Sequence, residues 1–238
     1  MELQALIFDV DGTLADTERD GHRLAFNAAF AEADLAWNWD PALYGELLAV
    51  TGGKERIRFF CESHAPDFLR QADVEARIRE LHAVKTRHYG AICAQGIPLR
   101  PGVEALLREA RAAGLRLAIA TTTTAENISA LLAPDLRALF ETVGAGDTVP
   151  NKKPAPDIYL WVLAQLALPA AACLALEDSA NGLKAALAAG LATVVTPTAY
   201  TRDHDFSGAL ALLPDLGRVS VPLLRHWHWV AYDSDKNL

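Results

Sequence analysis

A chain of 238 residues, 51% hydrophobic and 22% charged, has an ordinary globular composition and room for one large domain or two modest ones. Its formal net charge of −8 argues against a nucleic-acid or membrane-surface role, which needs a basic face, while an anionic small molecule stays open because local cations decide that. The three cysteines, Cys61, Cys93 and Cys173, form no CxxC pair, no apolar run reaches the roughly 18 residues of a membrane span, and no secretory leader is apparent, so the cytoplasm is the expected compartment.

Residues Leu3 to Asp9 are a short apolar run, the pattern of a buried parallel strand. The run ends in Phe8-Asp9-Val10-Asp11-Gly12-Thr13-Leu14, where two carboxylates at i and i+2 flank one another at a strand tip and Gly12 lets the backbone turn away. From Asp16 to about Gly96 helical periodicity dominates. Helices are expected over residues 23–33, 41–50 and 72–93, with a glycine-rich turn at Gly52-Gly53 leading into another helix N-terminus. Gly96, Pro98 and Pro101-Gly102 suit a linker.

Strand–helix alternation then returns. The spacing predicts a helix over 103–113, a strand over 115–121, a helix over 126–132, a strand over 140–144 and a helix over 157–166. A strand over 173–176, an alanine-rich helix over 182–189 and a strand over 191–196 follow. The stretch 219–238 carries no catalytic pattern, and the alternation His226-Trp227-His228 predicts an edge strand or tail packed on the core. The whole predicts an α/β protein with a doubly wound, mostly parallel sheet built from residues 1–16 and 97–238, interrupted by a helical cap at residues 17–96.

In an open parallel sheet, ligands bind beyond the carboxyl ends of the strands. Asp9, Thr121 with Thr122, the loop of Lys152-Lys153-Pro154, and Glu177-Asp178 all fall at such ends. Phosphoryl transfer needs an in-line nucleophile and neutralisation of charge on the equatorial oxygens. Asp9 is the expected nucleophile. Asp11 is the expected acid for the leaving alkoxide and then the base for water. Thr121 is a hydroxyl donor and Lys153 a cation for the phosphoryl group. Asp9, Asp11 through its carbonyl, Asp178 and the nearby Glu177 form an oxygen set suited to Mg2+.

In this order the motifs resemble those of the haloacid-dehalogenase (HAD) superfamily: DxDGT, a strand ending in Thr, Lys-Pro-x-Pro-Asp, then strand-Glu-Asp-Ser-x-Asn-Gly. The resemblance covers essentially the whole chain and implies a Rossmann-like core, a phosphatase acting through an aspartyl-phosphate, and Lys153 rather than Lys152 as the working lysine.

Asp16 to Arg23, Leu47 to Ile57, Trp37-Asn38-Trp39-Asp40 and Tyr44 to Leu48 resemble the CbbY proteins within that superfamily. This implies hydrolysis of xylulose 1,5-bisphosphate to xylulose 5-phosphate in Calvin-cycle organisms. It also implies that Glu18 and His22 contact the substrate, that Gly52, Gly53, Lys54, Glu55 and Arg56 hold the distal phosphate, and that Thr122 and Arg100 reach the substrate. The partner is then a small phosphorylated sugar, and a monomer is expected. A phosphomutase of the β-phosphoglucomutase kind or a phosphoglycolate phosphatase shares the same core residues. A receiver-type signalling module shares the Asp, Thr and Lys but is shorter and lacks the cap.

Overall fold

The computed structural model describes residues 2–232. Six strands form one sheet: β1 (Ala5–Phe8), β2 (Arg116–Ala120), β3 (Thr142–Gly144), β4 (Cys173–Glu177), β5 (Ala192–Val195) and β6 (Ala211–Leu212). Their order is β3-β2-β1-β4-β5-β6, and every pairing is parallel. The order reverses at β1, the switch point of a doubly wound sheet, so β1 is flanked on both sides. Its four residues are all fully buried, which is why the strand reads as an unbroken apolar run.

The pleat divides the core into two faces. On one, Ala5, Ile7, Ala118, Ala120, Cys173 and Ala175 pack under the helices Asp157–Leu166 and Ala180–Ala188. The small residues of this face let Tyr159, Ile158, Val162 and Leu166 fill the layer. The alternate positions, Leu6, Phe8, Leu117, Ile119, Leu174 and Leu176, are buried on the other. There the helix Val103–Ala112 packs on β2.

The chain divides into two compact units. The first contains the sheet and comprises the segment through Asp16, Pro98–Ala125, and the chain from Leu132 onward. The second comprises Thr17–Ile97 and Glu126–Leu131. It is all-helical and includes Arg23–Glu32, Pro41–Leu47, Gly53–His64 and Val74–Cys93. A π-helical turn, Glu18–His22, runs straight into the first of these. The core of this unit is aromatic. Trp39 is fully buried, with Phe26 at 4.6 Å and Phe30 at 4.8 Å between ring centroids. Asn27 clasps its backbone, donating to the Trp39 carbonyl at 2.9 Å and accepting from its amide at 2.7 Å. Asp40 then caps the next helix by accepting from the Leu43 amide, with Pro41 at the first helical position.

Two expectations are corrected. His226-Trp227-His228 lies in a helix, Val221–Tyr232, rather than an edge strand. The buried residues Val221, Leu224 and His228 fall at i, i+3 and i+7, a helical stripe that the local two-residue alternation masks. Residues 233–238 of the same stretch lie outside the described residues. The strand expected over 140–144 is confined to Thr142–Gly144, because Phe140 closes a turn with Arg137 and the register with β2 begins at Thr142 opposite Ala118.

Candidate active site

Because the strands are parallel, their carboxyl ends share one edge of the sheet. Asp9 follows β1 directly, and its amide continues the ladder by donating to the Leu176 carbonyl at 3.0 Å. Thr121 follows β2 and donates its amide to Gly144 at 3.0 Å. Glu177 ends β4 and Asp178 follows it. The sheet register therefore brings together groups that are far apart in sequence.

Lys153 joins them. Its ammonium donates to Asp9 Oδ1 at 2.7 Å, to Glu177 Oε1 at 2.6 Å and to the Ala120 carbonyl at 2.8 Å. Lys152 instead lies 3.8 Å from Asp147. Burial lowers the Lys153 pKa, but the charges of Asp9 and Glu177 outweigh this and raise it overall, so the lysine is a fixed cation. Burial raises the Asp9 carboxyl to about 7; Lys153 opposes the shift, while Glu177 and Asp11 add to it. Three buried carboxylates, Asp9, Glu177 and Asp178, offer oxygens within 4.8 Å of one another. Against that negative charge Lys153 supplies one buried positive charge. A hard divalent cation with oxygen ligands fits this donor set.

The turn after β1 places Asp11. Gly12 has φ +87° and bonds through its amide to the Ala15 carbonyl at 2.8 Å. A Cβ at Gly12 would fall 2.3 Å from Asp178 Oδ2, so this residue must be glycine for the turn to sit against the second aspartate. Asp11 is half-buried there. The buried Thr121 hydroxyl accepts from the Thr123 amide at 3.2 Å, which leaves its hydrogen to donate.

Sequence reasoning missed two supports of this cluster. Tyr159 is fully buried and donates its hydroxyl to Glu177 Oε1 at 2.5 Å. Burial and the charges of Glu177 and Asp9 push its phenol well above the ordinary value, which keeps it a donor. It ends the string Lys-Pro-x-Pro-Asp-Ile-Tyr, one turn of helix beyond the loop that carries the lysine. Gly182 is the other: a Cβ there would lie 2.0 Å from Glu177 Oε2.

Arg100, expected to reach the substrate, lies among backbone carbonyls of the sheet-containing unit. Its two terminal nitrogens are turned onto the carbonyls of Gly12, Thr196, Pro197 and Pro214.

Within the helical unit, Arg56 is buried, donates to the Tyr44 hydroxyl at 2.9 Å and lies 3.6 Å from Glu18. Tyr44 in turn donates to Glu18. His22 is buried, stacks on Tyr89 at 4.1 Å and meets the Lys85 ammonium through Nδ1 at 2.8 Å. The ammonium can only donate, so Nδ1 accepts and the proton of a neutral His22 resides on Nε2. Gly52, with φ +98°, opens the helix Gly53–His64, whose first turn holds the half-buried Lys54 and the exposed Glu55.

Comparison with known proteins agrees with this geometry. Residues 3–190 match the family model of the haloacid dehalogenase-like hydrolases. The plasmid-borne CbbY protein of Cupriavidus necator is 53% identical over 229 residues, covering 94% of this chain and 90% of that one. CbbY of Rhodobacter capsulatus is 52% identical, over 93% of this chain and 97% of that one. Among solved structures, CbbY from Rhodobacter sphaeroides superposes with a TM-score of 0.85 at 44% identity, covering 93% of this chain and 99% of that one. It has been crystallised with phosphate and, as a variant, with xylulose-(1,5)bisphosphate. The chain belongs to the haloacid dehalogenase-like hydrolases, as a phosphatase of the CbbY type.

Proposed function

We propose that this phosphatase hydrolyses xylulose 1,5-bisphosphate to xylulose 5-phosphate and inorganic phosphate, through a phosphoryl group carried on Asp9. The observation that carries the chemistry is the buried Asp9 carboxylate, bonded through one oxygen to Lys153 at the tip of the central strand. The substrate is taken from the relative that binds this bisphosphate.

Lys153 engages one oxygen of Asp9 and leaves the other to attack phosphorus. The bond from phosphorus to the sugar oxygen breaks as the bond to Asp9 forms, and Asp11 delivers a proton to the departing alkoxide. Asp11 then takes a proton from water as the water oxygen attacks phosphorus, which releases phosphate and returns the Asp9 carboxylate. Thr121 donates to a phosphoryl oxygen, Thr122 lies beside it, and Lys153 offsets the accumulating charge. Asp9, Asp178, the Asp11 carbonyl and Glu177 would hold Mg2+, which supplies electrostatic neutralisation of the transferring group. Tyr159 and Lys153 fix Glu177, and Gly182 leaves room for it.

The helical unit supplies recognition of the non-reacting phosphate and hydroxyls. Lys54, Arg56 and the amides after Gly52 suit an anion at a helix N-terminus. Glu18 and the Nε2–H of His22 suit sugar hydroxyls, and Glu55 flanks the set. The cytoplasm fits three buried cysteines that form no disulfide.

The test is phosphate release from xylulose 1,5-bisphosphate, a ketose monophosphate and phosphoglycolate, alongside isomerisation of glucose 1-phosphate, all with Mg2+. The reading predicts the highest kcat/KM for the bisphosphate and no isomerisation. It also predicts that Lys54→Ala raises KM for the bisphosphate by about tenfold, the loss of roughly one charged contact, and much less for the monophosphate. Equal effects on both would remove Lys54 from the distal site, and efficient isomerisation would replace hydrolysis with a mutase.

A further inference from the structure

Arg100 lies in the sheet-containing unit, shortly before the helix Val103–Ala112, and its side chain ends on neutral acceptors. Nη1 donates to the carbonyl of Gly12 and to that of Thr196 at 2.5 Å, with Thr196 Oγ1 at 3.1 Å. Nη2 donates to the carbonyls of Pro197 at 2.9 Å and Pro214 at 3.0 Å. Its own amide donates to the Leu14 carbonyl at 2.8 Å. One guanidinium thus ties together three chain segments: the turn after β1, the loop after β5, and the loop after β6.

Seating a half-buried cation on carbonyls has a desolvation cost that an exposed ion pair would avoid. The charges of Asp178, Asp16 and Asp215 favour the cation in place. What the clamp achieves is visible in the parts it holds. Gly12 directly follows Asp11 and abuts Asp178, as the 2.3 Å approach of a Cβ to Asp178 Oδ2 shows. In the loop after β5, the Thr198 amide donates to Thr201 Oγ1 at 2.8 Å, and that hydroxyl lies 3.5 Å from Asp178 Oδ2. Two of the clamped segments therefore converge on one buried aspartate.

We propose that Arg100 is a positioning residue, a planar clamp that presses the Asp11–Gly12 turn and the Thr196–Pro197 loop around Asp178 without touching the substrate. This rests on the phosphatase reading for the roles of Asp11 and Asp178. The rigid fork of a guanidinium matters here, since it sets donors on two separate nitrogens against four carbonyls, whereas a lysine ammonium offers three donors from a single atom. The clamp acts on the acid–base group and on the cation site, so its loss lowers kcat and cation affinity and spares KM.

The experiment uses the full chain with Arg100→Ala and Arg100→Lys. Binding of Mg2+ alone is measured by titration calorimetry. Turnover of xylulose 1,5-bisphosphate and of p-nitrophenyl phosphate is measured with and without added methylguanidinium. The proposal predicts that both variants lose about tenfold or more in kcat on both substrates and in Mg2+ affinity, with KM nearly unchanged. It also predicts that methylguanidinium restores part of the lost kcat to Arg100→Ala. Three results would overturn it: a rise in KM for the bisphosphate alone, full activity in Arg100→Lys, or a lower melting temperature with kcat and Mg2+ affinity intact. If Arg100→Ala does not fold, Arg100→Lys carries the kcat and calorimetric measurements. A parent chain that hydrolyses neither substrate would defeat the phosphatase reading instead, and calorimetry would still decide the clamp.

Discussion

Asp9 is held under electrostatic tension that its neighbours create. Burial lifts its carboxyl to about 7, with Glu177 and Asp11 adding to the shift and Lys153 opposing it. A carboxyl whose folded-state pKa is raised contributes stability that is fully present below the ordinary 3.8 and is lost as pH climbs through about 7. In metal-free protein the melting temperature of the wild type should therefore fall relative to that of Asp9→Asn as pH rises from about 5 to 8. At this chain length a change of 1 kcal/mol moves the midpoint by about 2–4 °C, which scanning calorimetry resolves. A difference between the two proteins that stays constant with pH would contradict the assignment of the shift to burial and like charge. The same variant loses turnover, because a neutral amide has no carboxylate to offer phosphorus.

At the scale of elements, the junction of β4 with the helix Ala180–Ala188 is the tightest in the site. Ser179 caps that helix by accepting from the Gly182 amide at 3.2 Å, and Gly182 leaves the space that Glu177 fills. Gly182→Ala should displace Glu177 from Lys153 and lower kcat at least tenfold while far-ultraviolet circular dichroism stays native; full activity would show that Glu177 has room to move. Trp39→Ala should destabilise the chain by about 3–5 kcal/mol in urea titrations, since a fully buried indole inside an aromatic cluster is removed; a cost below about 1 kcal/mol would mean the cluster collapses around the gap. The strands and the tips that carry the carboxylates were legible because a central parallel strand is apolar throughout and punctuated by glycine and charge. The helix Val221–Tyr232 was not, because four residues of alternating His and Trp imitate a strand while the buried stripe is spread over eight positions. The π-helical turn at Glu18 has no sequence signal distinct from an α-helix. Tyr159 and the clamp at Arg100 were illegible for another reason: each acts through partners that only the fold brings near. For Arg100 these lie 88 to 114 residues away.

Over the whole molecule, one sheet edge gathers Asp9, Thr121, Lys153, Glu177 and Asp178, and the helical unit carries the buried Arg56 and His22 with the half-buried Glu18. The central claim is that the phosphoryl group passes through Asp9. The most direct test is rapid acid quench of a single turnover with xylulose 1,5-bisphosphate and Mg2+, followed by peptide mass spectrometry. The account predicts a transient phosphoryl adduct on the peptide carrying Asp9. The adduct should form before phosphate appears in solution, decay as phosphate is released, and be missing in Asp9→Asn. An adduct on any other residue, or phosphate released at the full rate with Asp9 unmodified at every quench time, would contradict it.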